Sequence, residues 1–210
     1  MISIIINDQK FEVPENLTVL EAAREHNIHV PTLCYHEAIL PVGACRLCIV
    51  EVEQNGRTRT AASCVTPVAD NMIVRTNTEK IIRMRRVLVE LLLARCPNLP
   101  VLQNLAKEVG LKTVRFKKEA EDCFLCGLCV RACSEIVGVN AIGFGDRGVN
   151  NKIEPPFLKA SSACISCGTC TTICPAGTFH LERVDRLTSL HHFAEDYRAE
   201  KCRICGEHFM

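Results

Sequence analysis

The stretch of sequence that decides the fold is an internal repeat rich in cysteine. It reads CFLCGLCVRAC at residues 123–133 and CISCGTCTTIC at residues 164–174, so four cysteines and one glycine recur 41 positions later. A chain that wraps tightly around a cube of iron and sulfide places three thiolates on three of its corners at the spacing C-x2-C-x2-C-x3-C. The repeat therefore predicts two [4Fe-4S] clusters, each with a fourth ligand from the other copy.

The two predicted ligand sets are interleaved along the chain. One cluster takes Cys123, Cys126, Cys129 and Cys174, and the other takes Cys164, Cys167, Cys170 and Cys133. Gly127 and its repeat Gly168 let the backbone approach the cluster closely and turn its N–H groups toward sulfur. Two zinc knuckles are the alternative, but zinc gives no reason for the third cysteine of each triplet.

A second group of four cysteines lies near the start of the chain. Its members are Cys34, Cys45, Cys48 and Cys64, with the spacing C-x10-C-x2-C-x15-C. Three fall in a predicted loop and the fourth follows a predicted hairpin, an arrangement that suits a [2Fe-2S] cluster with two thiolates on each iron. A structural zinc site is the alternative, and His36 is interpreted as a surface residue.

The chain is predicted to be α+β, with four segments. Residues 1–78 are a [2Fe-2S] domain, 79–118 a helical connector, 119–185 a 2[4Fe-4S] domain and 186–210 a C-terminal tail. In the first segment two strands precede a helix that is capped by Thr18 with Glu21 as a capping box, and two strands follow it. The connector contains a helix with Arg83, Arg85 and Arg86 beside its apolar residues, and a second helix at 101–109. The tail is predicted to be helical from Val184 to Tyr197.

Two parts of the sequence resemble known families. Residues 119 to about 180 resemble the bacterial two-cluster ferredoxins, except that Ser134 stands where the second copy has Pro175. Residues 1–78 resemble the β-grasp [2Fe-2S] domain at the front of respiratory NADH dehydrogenase and of related hydrogenase and formate dehydrogenase subunits. That resemblance depends on three segments: PTLC at residues 31–34, GACRLC at 43–48 and ASC at 62–64. It implies a β-grasp fold with a [2Fe-2S] cluster.

Three of the fifteen cysteines remain after these assignments, namely Cys96, Cys202 and Cys205. In the NADH dehydrogenase relatives, a His-Pro followed by a cysteine run binds a further cluster after the arginine-rich helix. Here Cys96 precedes Pro97 and the run is absent, so that cluster is not expected. We predict instead a zinc site of Cys96, Cys202, Cys205 and His208, with His191 as an alternative fourth ligand. A half-site completed by another subunit, or plain reduced thiols, are the other interpretations.

Composition excludes several classes of protein. The formal charge of +1 and the absence of a basic patch with interleaved aromatic residues give no reason to expect nucleic acid. The longest apolar stretch, residues 87–94, is too short to span a bilayer, so no direct membrane insertion is expected. Because the opening residues do not form a signal peptide and the cysteines have ligand spacing, we expect a cytoplasmic protein in a reducing environment rather than a disulfide scaffold.

The predicted function is electron transfer. There is no dinucleotide fingerprint and no phosphate loop, so the chain is expected to be a non-catalytic subunit of an oxidoreductase complex. The resemblance implies the small iron-sulfur relay subunit of an electron-bifurcating NAD(P)H:ferredoxin oxidoreductase of the transhydrogenase type. The missing histidine-ligated cluster and the short chain favour this type. Its implied partners are a flavin-containing, NAD(P)-binding subunit and ferredoxin or a catalytic subunit. A hydrogenase or formate dehydrogenase relay, and a redox sensor, are the alternatives.

Overall fold

A computed structural model of the chain describes residues 1–158 and 161–179 and, beyond residue 180, the backbone of five short strands. The chain divides into two compact units. The first comprises Met1–His36 and Leu40–Cys126, and the second comprises Glu37–Ile39 and Gly127–Met210. The predicted connector thus belongs to the same compact unit as the N-terminal sheet. The four predicted segment limits stay predictions.

A five-stranded mixed sheet forms the centre of the first unit. Its strands are β1 (Ile2–Ile6), β2 (Gln9–Val13), β3 (Ile49–Gln54), β4 (Arg57–Ala62) and β5 (Met72–Arg75), in the order β2-β1-β5-β3-β4. The pairs β1–β2 and β3–β4 are the two hairpins that the sequence predicts. The sequence prediction of four strands missed β5, which lies in the middle, parallel to β1 and antiparallel to β3. Its four residues are too few for a clear alternation of apolar and polar side chains.

Helix α1 (Val19–Glu25) covers one face of this sheet and begins at the predicted capping box. The backbone N–H of Glu21 donates to Thr18 Oγ1 at 3.3 Å, and the Thr18 N–H donates to Glu21 Oε2 at 2.7 Å. A cap of this kind contributes about 1 kcal/mol. The helix buries Val19, Leu20, Ala22 and Ala23 in a continuous apolar core shared with β1, β3 and β5.

The connector consists of helices α2 (Glu79–Arg95) and α3 (Pro100–Glu108), close to the predicted helices. The buried side of α2 contains Ile81, Val89 and Leu93, but also two charged residues, Arg85 and Glu90. The carboxylate of Glu90 accepts hydrogen bonds from the backbone N–H and the guanidinium of Arg115, which pins the segment after α3 to α2.

The second unit has short elements. Helix α4 (Leu128–Arg131) continues as a turn of π-helix over Ala132–Val137, and α5 (Thr169–Ile173) is its counterpart in the other repeat. Strands β6 (Gly143–Gly145) and β7 (Lys152–Glu154) form an antiparallel pair between the repeats. The two predicted cysteine motifs therefore occupy loops and helix starts rather than long regular elements.

The helix predicted from Val184 to Tyr197 is wrong over the described residues of that range, which are 184, 187–190 and 197. Instead, β8 (Leu181–Val184) pairs with β9 (Leu187–Leu190), and β9 pairs with β10 (Tyr197–Arg198). A further pair joins β11 (Glu200–Lys201) to β12 (His208–Phe209). Pairing between segments, which a local apolar spacing does not reveal, overrides the helical pattern here.

Candidate metal centres

The first group of cysteines meets where the β3–β4 hairpin opens. Cys48 immediately precedes β3, and Cys64 lies in a helical turn just after β4. Because Ile49 pairs with Ala62, Cys48 precedes and Cys64 follows the last residue pair of the hairpin. The Ser63 N–H donates to the Cys48 carbonyl. Cys34 and Cys45 lie in the long loop that connects α1 to β3. All but Cys45 are at most 2% exposed, so the site is shielded from water.

The sulfur atoms of this group fall into two pairs. Cys48 Sγ lies 3.3 Å from Cys64 Sγ, and the Cys45 N–H donates to Cys34 Sγ at 3.2 Å. Two thiolates on one tetrahedral metal lie about 3.7 Å apart when the metal–sulfur bonds are about 2.3 Å. The first distance therefore suits two ligands of one iron, and two such pairs suit the two irons of a [2Fe-2S] cluster.

Protonation is unequal within each pair. The hydrogen bond between the sulfur atoms of Cys48 and Cys64 lowers the pKa of Cys48 to about 6, aided by the Cys64 backbone and the Ser63 hydroxyl, and raises the pKa of Cys64. In the same way the Cys34 thiol lowers the pKa of Cys45 to about 6, while the pKa of Cys34 is raised. Each pair thus presents one thiolate, the form of cysteine that binds metal.

A buried arginine from α2 lies beneath this loop. Arg85 is 3% exposed, and its Nε and Nη2 donate to the carbonyls of Leu47 and Ile49 at 3.0 and 2.7 Å. These are the two carbonyls on either side of Cys48. Ten residues further along α2, Arg95 Nε donates to the carbonyl of Cys123 at 3.0 Å. One helix therefore holds two of the predicted ligand-bearing segments.

The two copies of the cysteine repeat adopt the same backbone conformation. Leu125 and Ser166, between the first two cysteines of each copy, have φ of 56° and 52°, and the following glycines, Gly127 and Gly168, both have φ of 74°. The left-handed region is the one in which glycine is least strained. In the first copy this turn directs the Leu125 N–H toward Cys123 Sγ at 3.4 Å. The glycines then begin α4 and α5.

The second predicted set of four cysteines shares one neighbourhood in the second unit. Burial raises the pKa of Cys170 to about 12, and the negative charges of Cys167, Cys164 and Cys133 add to the shift. The Ala141 N–H donates to Cys133 Sγ at 3.2 Å. The hydroxyl of Ser166 is fully buried, with no hydrogen-bond partner among the described residues. Cluster sulfurs are acceptors that such a hydroxyl can meet, so the donor set fits a [4Fe-4S] cluster.

The first predicted set is distributed differently. Cys123 and Cys126 belong to the first compact unit, and Cys129 and Cys174 to the second. No disulfide joins the thirteen described cysteines. Within residues 1–158 and 161–179, no three cysteine, histidine or acidic side chains converge on one point as ligands of a single ion. A cluster spreads its thiolates over several irons and does not need that convergence. The individual ligand assignments stay predictions.

Only one side chain of the predicted zinc site is described. Cys96 ends α2, is fully buried, and has its pKa raised to about 12 by burial, against the opposing charge of Arg95. Cys202, Cys205 and His191 lie outside the described residues, and for His208 only the backbone, in β12, is described. His36 is exposed, as interpreted from the sequence.

Sequence reasoning missed three residues near these sites: Arg85, Arg95 and Ser166. A signal for Arg85 was present, since the spacing 81, 85, 89, 93 places it on the apolar stripe of α2 rather than beside it. A signal for Ser166 was its alignment with Leu125 in the other copy of the repeat.

Two known iron-sulfur domain families match the chain. Residues 1–79 match the 2Fe-2S iron-sulfur cluster binding domain, and residues 122–178 match the 4Fe-4S dicluster domain. The chain therefore belongs to the iron-sulfur proteins that combine a 2Fe-2S domain with a 4Fe-4S dicluster domain. This confirms the predicted α+β class and both cluster-bearing domains.

Within that class, its relatives are subunits of NAD(P)-linked oxidoreductases. It is 33% identical to a subunit of the NADH-quinone oxidoreductase of Rhizobium meliloti, over 84% of this chain and 24% of that protein. It is 32% identical to a subunit of the NADP-reducing hydrogenase of Solidesulfovibrio fructosivorans, over 84% of this chain and 35% of that protein. It is 34% identical to the alpha subunit of the NADPH-Fe(3+) oxidoreductase of Geobacter sulfurreducens, over 85% of this chain and 24% of that protein.

A solved structure agrees with these relatives. A chain of a crystal structure of NAD+-reducing [NiFe]-hydrogenase in the H2-reduced state has a TM-score of 0.64 and 31% identity, with coverage of 74% of this chain and 75% of that chain. By contrast, the chain spans only about a quarter to a third of the length of the three curated relatives.

Among the described residues, no helix is both long and apolar enough to cross a bilayer.

Proposed function

We propose that this chain is the electron-relay subunit of a cytosolic, multi-subunit NAD(P)H:ferredoxin oxidoreductase. It takes single electrons from a flavin-bearing, NAD(P)-binding partner and passes them toward ferredoxin. The three thiolate sets are proposed to hold one [2Fe-2S] and two [4Fe-4S] clusters with the ligands predicted from the sequence. When bound, such clusters exchange one electron at a time, whereas NAD(P) exchanges a hydride.

The observation that carries the relay proposal is the position of α2. Arg85 holds the Cys48 turn and Arg95 holds the Cys123 carbonyl, and ten helical residues separate the two arginines by about 15 Å along the axis. A rigid helix therefore fixes the spacing between the segment that holds the N-terminal site and the segment that begins the first [4Fe-4S] motif. Fixed spacing is what a relay requires, because electron exchange between sites depends on their separation.

The surroundings of the sites support a relay rather than substrate chemistry. Cys48 and Cys64 belong to the apolar core and Cys34 is 2% exposed, so water would be kept from a metal bound there. Cys45 is half-buried, so one edge of the site approaches the surface. Backbone N–H groups directed at sulfur, such as those of Cys45 and Ala141, stabilise the extra negative charge of a reduced site.

The transhydrogenase type is the finer part of the proposal. Cys96 stands where a histidine would ligate a further cluster in the NADH dehydrogenase type, and its side chain is fully buried. Electron bifurcation also requires low cluster potentials, around −400 mV or below, to exchange with ferredoxin. Relatives whose names specify NADP or NADPH are consistent with NAD(P) at the partner's flavin.

Anaerobic affinity purification from the native cell tests this proposal. We expect a flavoprotein to co-purify, and the complex to pass electrons from NADH or NADPH to ferredoxin. Isolation of the chain alone, together with failure of any flavoprotein to reduce its clusters, would contradict the relay.

A relay in a hydrogenase is the second candidate. It is favoured by the likeness to the [NiFe]-hydrogenase chain and to the NADP-reducing hydrogenase subunit. Hydrogen-dependent reduction of the co-purified complex would select it, and ferredoxin-dependent turnover without hydrogen uptake would select the first candidate.

The zinc site in the tail stays a separate proposal. The one described side chain of this site is that of Cys96, which is fully buried at the end of α2. Metal analysis of a Cys202→Ser variant tests the site: loss of one zinc per chain supports it, and an unchanged zinc content removes it.

A further inference from the structure

The burial of Arg85 needs an explanation that the fold alone does not supply. The residue lies in the middle of the apolar stripe of α2, where an uncharged side chain would pack at lower cost. Its guanidinium makes three hydrogen bonds, to the carbonyls of Leu47 and Ile49 and to Asn77 Oδ1. Carbonyl and amide oxygens satisfy its N–H groups but do not neutralise its charge.

The negative charges near Arg85 show which groups can compensate the positive charge of its guanidinium. No carboxylate among the described residues forms a salt bridge with it. The negative charges that act on it are those of Glu108, which is itself paired with His29 at 2.9 Å, and of the Cys48 thiolate. A cluster with four thiolates carries roughly two negative charges when oxidised and one more when reduced.

We propose that Arg85 is a positioning and charge-compensating residue of the [2Fe-2S] site. The two N–H groups of its guanidinium fork fix the Leu47–Cys48–Ile49 turn, and its positive charge raises the reduction potential of the cluster. The planar fork of arginine matches two carbonyls at once, which a lysine ammonium does not. The buried charge acts on the reduced state more than on the oxidised state because the reduced cluster is more negative. The inference depends on the 2Fe-2S domain and not on the identity of any partner.

A redox titration of the full chain, followed by the EPR signal of the reduced [2Fe-2S] cluster, tests the proposal. In Arg85→Gln we expect the ratio of reduced to oxidised cluster at a fixed ambient potential to fall about tenfold, equivalent to about 59 mV for one electron. The shift should persist at high salt, because a buried charge is poorly screened. In Arg85→Lys, which keeps the charge but not the fork, we expect a smaller fall in the ratio and an altered EPR line shape.

Arg86→Gln is the matched control. Arg86 is the neighbouring residue of the same helix, is exposed, and donates to the Val109 carbonyl at 2.6 Å rather than to the cluster loop. We expect it to leave both the ratio and the line shape unchanged. A ratio in Arg85→Gln equal to that in Arg86→Gln would overturn the proposal.

If Arg85→Gln does not assemble the cluster, the Arg85→Lys and Asn77→Ala variants test the proposal instead. Asn77→Ala removes the acceptor that orients the fork but keeps the charge, so the proposal requires an altered line shape with a ratio near that of the wild type. Unchanged line shapes in both variants would overturn it. Because these measurements use the isolated chain, they stay valid whether or not the proposed relay complex is found.

Discussion

The two cluster-bearing regions of this chain are stabilised in different ways. The N-terminal region has a five-stranded sheet and a helix that share a continuous apolar core, and its cysteine loop is attached to this core. The dicluster region has strands of three residues and helices of four and five residues, with several cysteines among its buried side chains. Where apolar burial is small, the metal itself must cross-link the fold.

Removal of iron should separate the two regions most strongly. After anaerobic chelation we expect amides in residues 123–179 to lose protection from hydrogen exchange, because their fold depends on bound metal. Amides of β1, β3 and β5 should keep their protection, because the apolar core remains. Equal loss of protection in both regions, or in neither, would contradict the comparison.

Single cysteine variants should show the next largest effect. Cys133→Ser removes a predicted ligand of one [4Fe-4S] cluster, and we expect it to lose about four of about ten irons per chain while the [2Fe-2S] EPR signal remains. Cys96→Ser, which changes a buried cysteine outside the three sets, should keep all ten. Iron and sulfide analysis distinguishes them, and iron loss in Cys96→Ser would show that a ligand had been missed.

Glycine in the repeat should matter more than glycine in a hairpin. Left-handed strain at φ of 74° costs Gly127→Ala about 1–2 kcal/mol, and its Cβ would also lie only 3.0 Å from Phe144 Cζ. Gly56, in the β3–β4 turn at φ of 72°, has open space around it, so Gly56→Ala carries the strain alone. We expect both variants to lower the melting temperature but only Gly127→Ala to lower [4Fe-4S] occupancy. Equal iron content in the two would remove the special role of Gly127.

The smallest effect concerns the connector. Hydrogen bonds from the Arg115 side chain lower the pKa of Glu90. The stability that this pair contributes is therefore fully present when the pH lies above the ordinary pKa of a glutamate. That stability is lost as the pH falls through the lowered pKa of the folded state. We expect Glu90→Gln to lower the melting temperature at neutral pH, and the difference from the wild type to shrink in acid. Glu79→Gln, in the exposed pair with Arg83, should change little at either pH.

The sequence predicted what local patterns encode. The Thr18 capping box and the β3–β4 hairpin each arise within a few residues, and each was found. The cysteine spacing led to the two cluster-bearing domains, which the family matches confirm. Strand β5 was missed because its identity comes from partners β1 and β3, which are distant in sequence. Arg85 was missed for a related reason: its role depends on the carbonyls of Leu47 and Ile49, some forty residues away. The helix predicted in the tail is wrong over its described residues because strand pairing, not helical periodicity, decides their structure.

Mössbauer spectroscopy of anaerobically prepared, 57Fe-labelled protein tests the central claim most directly, since it counts iron by cluster type. Three thiolate groups that hold one [2Fe-2S] and two [4Fe-4S] clusters predict about one fifth of the iron in the [2Fe-2S] spectrum and the rest in [4Fe-4S] spectra. A single iron class, or stoichiometric zinc in place of iron in either region, would contradict it.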